Sequence, residues 1–437
     1  MASSSLTPSA DLSDITAAVL AGGFGTRLRS VVSDRPKVLA EVGGRPFLAY
    51  LFEQLVAAGC RSVVLCSGYL GEQIYRVFGE HYGSLRLRYS QEPNPLGTAG
   101  ALKFALPQIT SDPVLVLNGD SFCGIDLECY LRWHCDRGAA GSMALSRVLS
   151  SERYGSVKLD EEARITSFSE KQQSSGPGWV NAGVYLLSHE ILASIPEGEN
   201  VSLEHDVFPD WTGRGLYGYY SRAHFLDIGT PEAFSSAEQF FKVGTTAVER
   251  PAVVLDRDGT IIEEREYLSD SAGVRLIPGA GVALRELKKM GFSLVVITNQ
   301  SGIARGFFSA GVLQEIHAHL EQLLAETGVR LDGIYTCPHR PEDECGCRKP
   351  RLGLFQKAAT DLGFTPEHSI VIGDKASDVE MGRNAGAVTF LVRTGYGAGV
   401  EAAQGSLADF VVDDLPAAAR VIRHWAPTER SSDHDHQ

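Results

Sequence analysis

The sequence predicts an α/β protein of two Rossmann-like, three-layer domains. Three observations point there. At 437 residues the chain exceeds what one ordinary hydrophobic core organises. Short apolar strands alternate with amphipathic helices, which implies largely parallel sheets with helices on both faces. The alternation then restarts at residues 251–260, PAVVLDRDGT. There an apolar run reads as a buried strand and delivers Asp256 and Asp258 to its carboxyl end, the edge where open α/β sheets bind ligands. The expected organisation is a disordered lead-in over 1–14, a first domain over 15–242, a linker over 243–250, a second domain over 251–425 and a disordered tail over 426–437.

Composition narrows the function classes. The formal net charge of −14 disfavours nucleic acid and anionic membrane as partners, so anionic small molecules would need local Arg, Lys or metal. No stretch approaches the ~18–20 apolar residues of a membrane span. The N-terminus, MASSSLTPSADLSD, lacks the basic and apolar regions of an export signal, and the expected location is cytoplasmic. Eight cysteines in such a chain read as reduced thiols or metal ligands, not disulfides. The tail's His434 and His436 read as solvated.

In the first domain a strand over 15–20 runs into the glycine-rich turn Ala21-Gly22-Gly23-Phe24-Gly25-Thr26-Arg27. A helix follows, with Leu48, Leu51, Phe52 and Leu55 on one face. A strand over 62–68, a helix over 71–81 and a strand over 113–120 continue the alternation. Glycines let backbone N–H groups close around phosphate, and with Arg27 and Arg35-Pro36-Lys37 the turn reads as a cationic triphosphate cradle. It is neither G-x-G-x-x-G nor a Walker loop, which disfavours NAD binding and ATP hydrolysis of that type. Cys123, Cys129, His134 and Cys135 lie close in sequence but lack convergent ligand spacing, and read as core thiols.

LAGGFGTRL followed by RPK resembles the signature of sugar-1-phosphate nucleotidylyltransferases, and the resemblance extends to about Phe241. It implies a nucleotide-diphospho-sugar transferase fold, with Leu20, Ala21, Gly22, Gly23, Gly25, Thr26, Gly97 and Thr98 at the nucleotide. Asp120 of NGD and Asp227 of FLDIGTPEAF would hold Mg²⁺. Gly155, beside Tyr154, with Glu170, Lys171 and Asn181 would contact the sugar phosphate. Arg27 would neutralise departing pyrophosphate, and Lys37 would stabilise charge at the α-phosphorus. The attacking phosphate is already ionised, so no general base is required.

The second domain repeats the logic. A strand over 293–302 ends in Thr298 and Asn299, Arg348-Lys349-Pro350 follows a cysteine-rich loop, and a third strand ends in Asp374 and Asp378. DxDGT, a strand-end threonine, a lysine and GDxxxD, in this order, resemble the four signatures of haloacid dehalogenase phosphatases. That resemblance implies Asp256 as nucleophile, Asp258 as acid/base, and Thr298 and Lys349 as phosphoryl-oxygen ligands. It places Mg²⁺ on Asp256, the Asp258 carbonyl, Asp374 and Asp378. No insertion of cap-domain size separates the first two motifs, so a capless fold is expected.

Between motifs, Cys337-Pro-His339 is followed after five residues by Cys345-Gly-Cys347. Three thiols and one imidazole make a closed tetrahedral set, which implies structural Zn²⁺. TNQSGIARGFF, this loop and RKPRLGLF narrow the resemblance to heptose 1,7-bisphosphate 7-phosphatases, with histidinol-phosphate phosphatases as the rival. Asn299, Arg305 and Arg348 become candidate substrate contacts.

The first-domain wording resembles D-glycero-α-D-manno-heptose 1-phosphate guanylyltransferases. A bifunctional enzyme of GDP-heptose synthesis follows: the second domain removes the 7-phosphate and the first transfers GMP from GTP. Open alternatives are another sugar 1-phosphate (mannose or glucose) beside a histidinol-phosphate-type phosphatase, or one domain as a non-catalytic module. Base identity rests on resemblance alone. Small-molecule sugar phosphates and a nucleoside triphosphate are the expected partners, and a homo-oligomer stays open.

Overall fold

The computed structural model describes residues 11–23, 28, 34–68, 70–148, 156–160, 162–169, 178–221, 223–243, 251–404 and 408–423. The chain divides into two compact units, residues 1–247 and 248–437.

In the first unit the central strand Thr16–Leu20 (TAAVL) is almost wholly buried, as its uninterrupted apolar run requires. It pairs in parallel with Ser62–Ser67 on one side and Val114–Asn118 on the other, and Leu85–Gln91 extends the first side. Chain order reverses direction between Thr16–Leu20 and Val114–Asn118, where Leu20 and Asn118 are register partners. A crevice opens at such a switch point because the following chain segments depart to opposite sides.

The expected, largely parallel sheet is corrected here. Beyond Val114–Asn118 the sheet turns antiparallel through Gly178–Leu187, which also pairs antiparallel with Gly141–Val148. Ser156–Leu159 and Ile165–Ser169 form a further antiparallel pair. A short connection suffices for antiparallel neighbours, whereas parallel ones need a crossover. The helix expected over 71–81 ends at Phe78, because Gly79 takes φ +61°. His81–Tyr82 then pairs back as a short antiparallel strand against Leu85–Gln91, His81 opposite Arg86 and Tyr82 opposite Leu85.

The second unit is the simpler of the two. Its six described strands are all parallel: Ala252–Leu255, Ser293–Asn299, Gly333–Cys337, Ile370–Gly373, Val388–Val392 and Phe410–Val412. Numbered along the unit, their spatial order is 3-2-1-4-5-6, the doubly wound arrangement. Ala252–Leu255 is fully buried between its neighbours. Asp256 therefore leaves the sheet at the switch point, with its N–H donating to Ile372 O at 3.0 Å. Between the first two strands the regular elements are one 3₁₀ turn, Ser271–Gly273, and one helix, Ala280–Lys289. The fold is capless on that side.

Candidate active sites

In the first unit a cavity of about 500 Å³ lies over the switch point, a size suited to a nucleotide-scale ligand. Leu20, Ala21, Gly22, Gly23, Lys37, Gly97, Thr98, Asp120 and Asp227 all line it. Two of its glycines are there for space. A Cβ on Gly22 would come within 2.8 Å of Glu92 Oε1, and one on Gly97 (φ +73°) within 2.5 Å of Val201 O.

Asp120 and Asp227, far apart in sequence, are joined by the antiparallel pair Ser121–Cys123 and Phe225–Asp227. Ile228 N–H donates to Asp120 O at 3.0 Å. Lys37, on a 3₁₀ turn over Lys37–Leu39, puts Nζ 2.8 Å from Asp120 Oδ2 and 3.9 Å from Asp227 Oδ1. A half-buried ammonium and two half-exposed carboxylates thus converge on one wall. Two carboxylates on one cavity wall suit Mg²⁺, which takes one or two protein carboxylates and completes its shell with other oxygens.

Gly25, Thr26, Arg27, Tyr154, Gly155, Glu170 and Lys171 lie outside the described residues. Asn181 is bonded within the protein: Oδ1 accepts from Gly183 N at 2.9 Å and Nδ2 donates to Tyr185 Oη at 2.7 Å. Tyr185 in turn reaches Glu204 Oε1 at 3.3 Å, and Thr98 Oγ1 donates to Glu204 Oε2 at 2.9 Å.

Glu92 escaped the sequence reading. It follows the strand Leu85–Gln91, lines the cavity, and accepts from Leu96 N–H at 3.2 Å through Oε2. Burial raises its pKa above the ordinary glutamate value, against the smaller lowering effect of the Leu96 bond. A lone acidic residue before NPLG carries no sequence signal; only the folding of Gly22 and Gly68 against its carboxylate reveals it.

The neighbouring cysteines form no metal group among the described residues. Cys123 is buried, Cys129 half-buried and Cys135 exposed, so Cys135 departs from the core reading. His134 Nδ1 lies 2.8 Å from Ser142 Oγ, and burial pushes its pKa down to about 4.

In the second unit the expected residues converge. Lys349 Nζ, sealed from solvent, lies 2.7 Å from Asp256 Oδ1, 2.6 Å from Asp378 Oδ1 and 2.7 Å from Ile297 O. Burial alone would raise Asp256, but Lys349 and Lys375 outweigh it and hold the carboxyl below its usual range. Burial, reinforced by the Asp256 charge, pushes Asp374 up to about 8. Asp378 is raised as well, again by burial first.

Oxygens of Asp256, Asp374 and Asp378 lie within 4.8 Å of one another, all buried. Asp374 Oδ1 has no hydrogen-bond partner. Three crowded acids with an orphaned oxygen are the environment a hard divalent cation satisfies. Lys375, missed in the sequence, reaches Asp256 and Asp374 at 3.7 Å each and Glu264 at 2.9 Å.

Asp258 faces Gln300, whose Nε2 lies 2.8 Å from Asp258 Oδ2 and 2.8 Å from Thr298 Oγ1. The other candidates have contacts within the protein. Asn299 clamps the backbone of Lys349, through Lys349 N–H to Oδ1 at 3.1 Å and Nδ2 to Lys349 O at 3.3 Å. Arg348 Nη1 donates to His339 O at 3.2 Å. Arg305 lies 3.9 Å from Glu342.

Cys337, His339, Cys345 and Cys347 form a compact tetrad. The sulfurs are 3.4–3.6 Å apart, and His339 Nδ1 is 3.2 Å from Cys347 Sγ and 3.7 Å from Cys337 Sγ. Covalent S–S bonding needs about 2.0 Å, so these are free thiols. Ligands about 2.0–2.3 Å from a central ion span edges of this length, so the tetrad fits tetrahedral Zn²⁺.

Each unit is similar to known proteins. The family model described as nucleotidyl transferase matches residues 16–243, and that described as HAD-hydrolase-like matches residues 346–418. The first unit is similar to D-glycero-alpha-D-manno-heptose 1-phosphate guanylyltransferase of Aneurinibacillus thermoaerophilus, at 37% identity over 51% of this chain and 96% of the relative. It is also similar to mannose-1-phosphate guanylyltransferase of Mycobacterium tuberculosis, at 35% identity over 50% of this chain and 62% of the relative. The second unit is similar to D-glycero-beta-D-manno-heptose-1,7-bisphosphate 7-phosphatase of Haemophilus influenzae, at 41% identity over 39% of this chain and 96% of the relative. No described helix is long and apolar enough to cross a membrane. The chain therefore belongs to the nucleotidyl transferase family through its first unit and to the haloacid dehalogenase-like phosphatases through its second.

Proposed function

We propose that this chain carries two consecutive steps of GDP-heptose formation. The second unit hydrolyses the 7-phosphate of D-glycero-D-manno-heptose 1,7-bisphosphate. The first transfers GMP from GTP to the resulting D-glycero-α-D-manno-heptose 1-phosphate and releases pyrophosphate. The observation that carries the proposal is chemical continuity within one chain. One unit resembles enzymes that leave a sugar 1-phosphate, the other resembles enzymes that consume one, and each has its charged groups assembled.

In the phosphatase unit Asp256, kept ionised by Lys349, attacks phosphorus. The bond from phosphorus to the C7 oxygen breaks, and the departing alkoxide takes the Asp258 proton. Asp258 then takes a proton from water, whose oxygen attacks the same phosphorus. The bond to Asp256 breaks, inorganic phosphate leaves, and both aspartates are restored. Lys349 and Thr298 hold phosphoryl oxygens throughout. Mg²⁺ on Asp256, the Asp258 carbonyl, Asp374 and Asp378 would neutralise the phosphoryl charge.

In the transferase unit an oxygen of the sugar phosphate attacks the α-phosphorus of GTP while the bond to the bridging oxygen breaks. Lys37 stabilises the charge that develops there, and Arg27 receives the pyrophosphate. Asp120 and Asp227 would hold the Mg²⁺ that shields the triphosphate. Glu92 supports guanine: a carboxylate accepts from adjacent N–H donors, and guanine offers N1–H and N2–H₂ side by side.

The relatives' names give opposite anomers, α for the transferase and β for the phosphatase. Sequential action on one molecule requires a single anomer. The test offers purified protein both heptose 1,7-bisphosphates, mannose 1-phosphate and a panel of nucleoside triphosphates, with Mg²⁺, and identifies products by mass. GDP-heptose from the α-bisphosphate is expected. Asp120→Asn should abolish the sugar nucleotide but spare phosphate release, and Asp256→Asn should stop phosphate release. Faster transfer to mannose 1-phosphate than to the heptose would replace the sugar named here.

A further inference from the structure

Arg257 stands between the two aspartates of the DxD motif, and its side chain is the largest sealed from solvent among the described residues, with 1% exposure. Its Nε and Nη2 donate to Asp258 Oδ2 at 3.1 and 2.9 Å, and Nη2 donates to Asp258 Oδ1 at 3.0 Å. Nη1 has no hydrogen-bond partner. Among the described residues, the hydrogen bonds of this buried guanidinium all go to one carboxylate. A buried ion pair is a poor way to gain stability, because desolvation offsets the attraction. Forked, planar donation is instead a good way to fix the orientation of a carboxylate.

Gln300 supplies the second hold. Its amide nitrogen carries two hydrogens, and its two partners are Asp258 Oδ2 and Thr298 Oγ1, both at 2.8 Å. Gln300 is 7% exposed and Thr298 1%, so the link is dry. The amide thereby ties Asp258 to the threonine at the end of the neighbouring strand.

We propose that Arg257 and Gln300 are positioning residues for Asp258, an inference that rests on the phosphatase reading of the second unit. Arg257 fixes the plane of the carboxylate, and Gln300 sets its distance from the phosphoryl site marked by Thr298. Each is bonded to Asp258 and acts through it. Both half-reactions move a proton through Asp258, so both depend on this placement. An error of about 1 Å in a proton-transferring group can cost on the order of 10²-fold.

The test separates the half-reactions by leaving group. p-Nitrophenolate needs no proton to depart, so with p-nitrophenyl phosphate the loss of Asp258 placement falls on hydrolysis of the aspartyl-phosphate. Stopped-flow absorbance on the full chain with Mg²⁺ gives the ratio of burst rate to steady-state rate for wild type, Arg257→Met, Arg257→Lys and Gln300→Leu. Expected are at least a tenfold rise of that ratio in Arg257→Met and a smaller rise in Gln300→Leu. Arg257→Lys should recover part of the loss, and KM should stay within about threefold. On heptose 1,7-bisphosphate, kcat of Arg257→Met should fall roughly 10–10²-fold.

An unchanged burst ratio in Arg257→Met, or equal losses that lysine does not relieve, would overturn the inference and leave Arg257 as a packing residue. If Arg257→Met melts well below the wild type, Arg257→Lys and Gln300→Leu decide by the same ratio. Wild-type protein inactive on both substrates, or Asp256→Asn still releasing phosphate, would instead strike the phosphatase reading, and the inference with it.

Discussion

Replacing Glu92 by Gln tests the proposed contact between this carboxylate and guanine. The carboxylate is half-buried beside the cavity, bonded to Leu96 N–H at 3.2 Å, and packed where Gly22 and Gly68 leave room for nothing larger. As an acceptor-only group it can receive two guanine donors; glutamine has one acceptor and sets an N–H₂ against the other donor. Hydrogen bonds to a charged group are worth about 1.5–3 kcal/mol. The variant should therefore lose roughly 10–150-fold in kcat/KM for GTP. ITP, which lacks the N2 amino group, gives the internal control. Wild type should prefer GTP over ITP by at least about tenfold, and Glu92→Gln should bring the two close to parity. The assay is pyrophosphate release with each nucleotide at fixed sugar phosphate. A GTP kcat/KM within about threefold of wild type and an intact preference over ITP would refute the assignment.

Three further outcomes are expected. Lys349→Met leaves Asp256 and Asp378 buried without their shared cation, and should destabilise the second unit by about 3–5 kcal/mol; urea unfolding should show a smaller loss with Mg²⁺ present. Stripping Zn²⁺ with a chelator, or replacing Cys345 by Ser, should lower the second unit's melting temperature strongly, since such sites contribute roughly 10–16 kcal/mol of apparent binding energy. Guanylyl transfer should persist, and a melt unchanged by chelation would remove the zinc assignment. Asp374 is raised from 3.8 to about 8, so without metal the stability it gives by staying protonated is complete below about 3.8 and lost as pH rises through about 8. Mg²⁺ must displace that proton, so its affinity measured by calorimetry should fall as pH is lowered below about 8, with proton release on binding.

Much of the second unit is legible in the chain because its chemistry is local. PAVVLDRDGT is a buried parallel strand with its carboxylates one step beyond the sheet, and strand hydrogen bonding fixes where they emerge. The cysteine loop is legible for the same reason: four ligands within eleven residues can close a tetrahedron almost whatever surrounds them. Lys37, Asp120 and Asp227 carry signals as motif residues, yet their convergence needs the pairing of Ser121–Cys123 with Phe225–Asp227.

What tertiary structure alone decided are contacts between residues that no local pattern links. The antiparallel half of the first sheet escaped the reading because strand direction depends on partners distant in sequence. Glu92 is an ordinary surface acid in sequence and becomes a cavity wall only when two glycines from other loops fold against it. Arg257 is the unspecified middle letter of a motif until burial turns its guanidinium onto Asp258. Asn299 sits at the strand end expected for a substrate contact, and only the fold shows that it also clamps the backbone of Lys349. Short-range periodicity and strand-end placement are properties of the chain itself. Burial, and the hydrogen bonds it forces on polar groups, exist only once the chain has closed on itself.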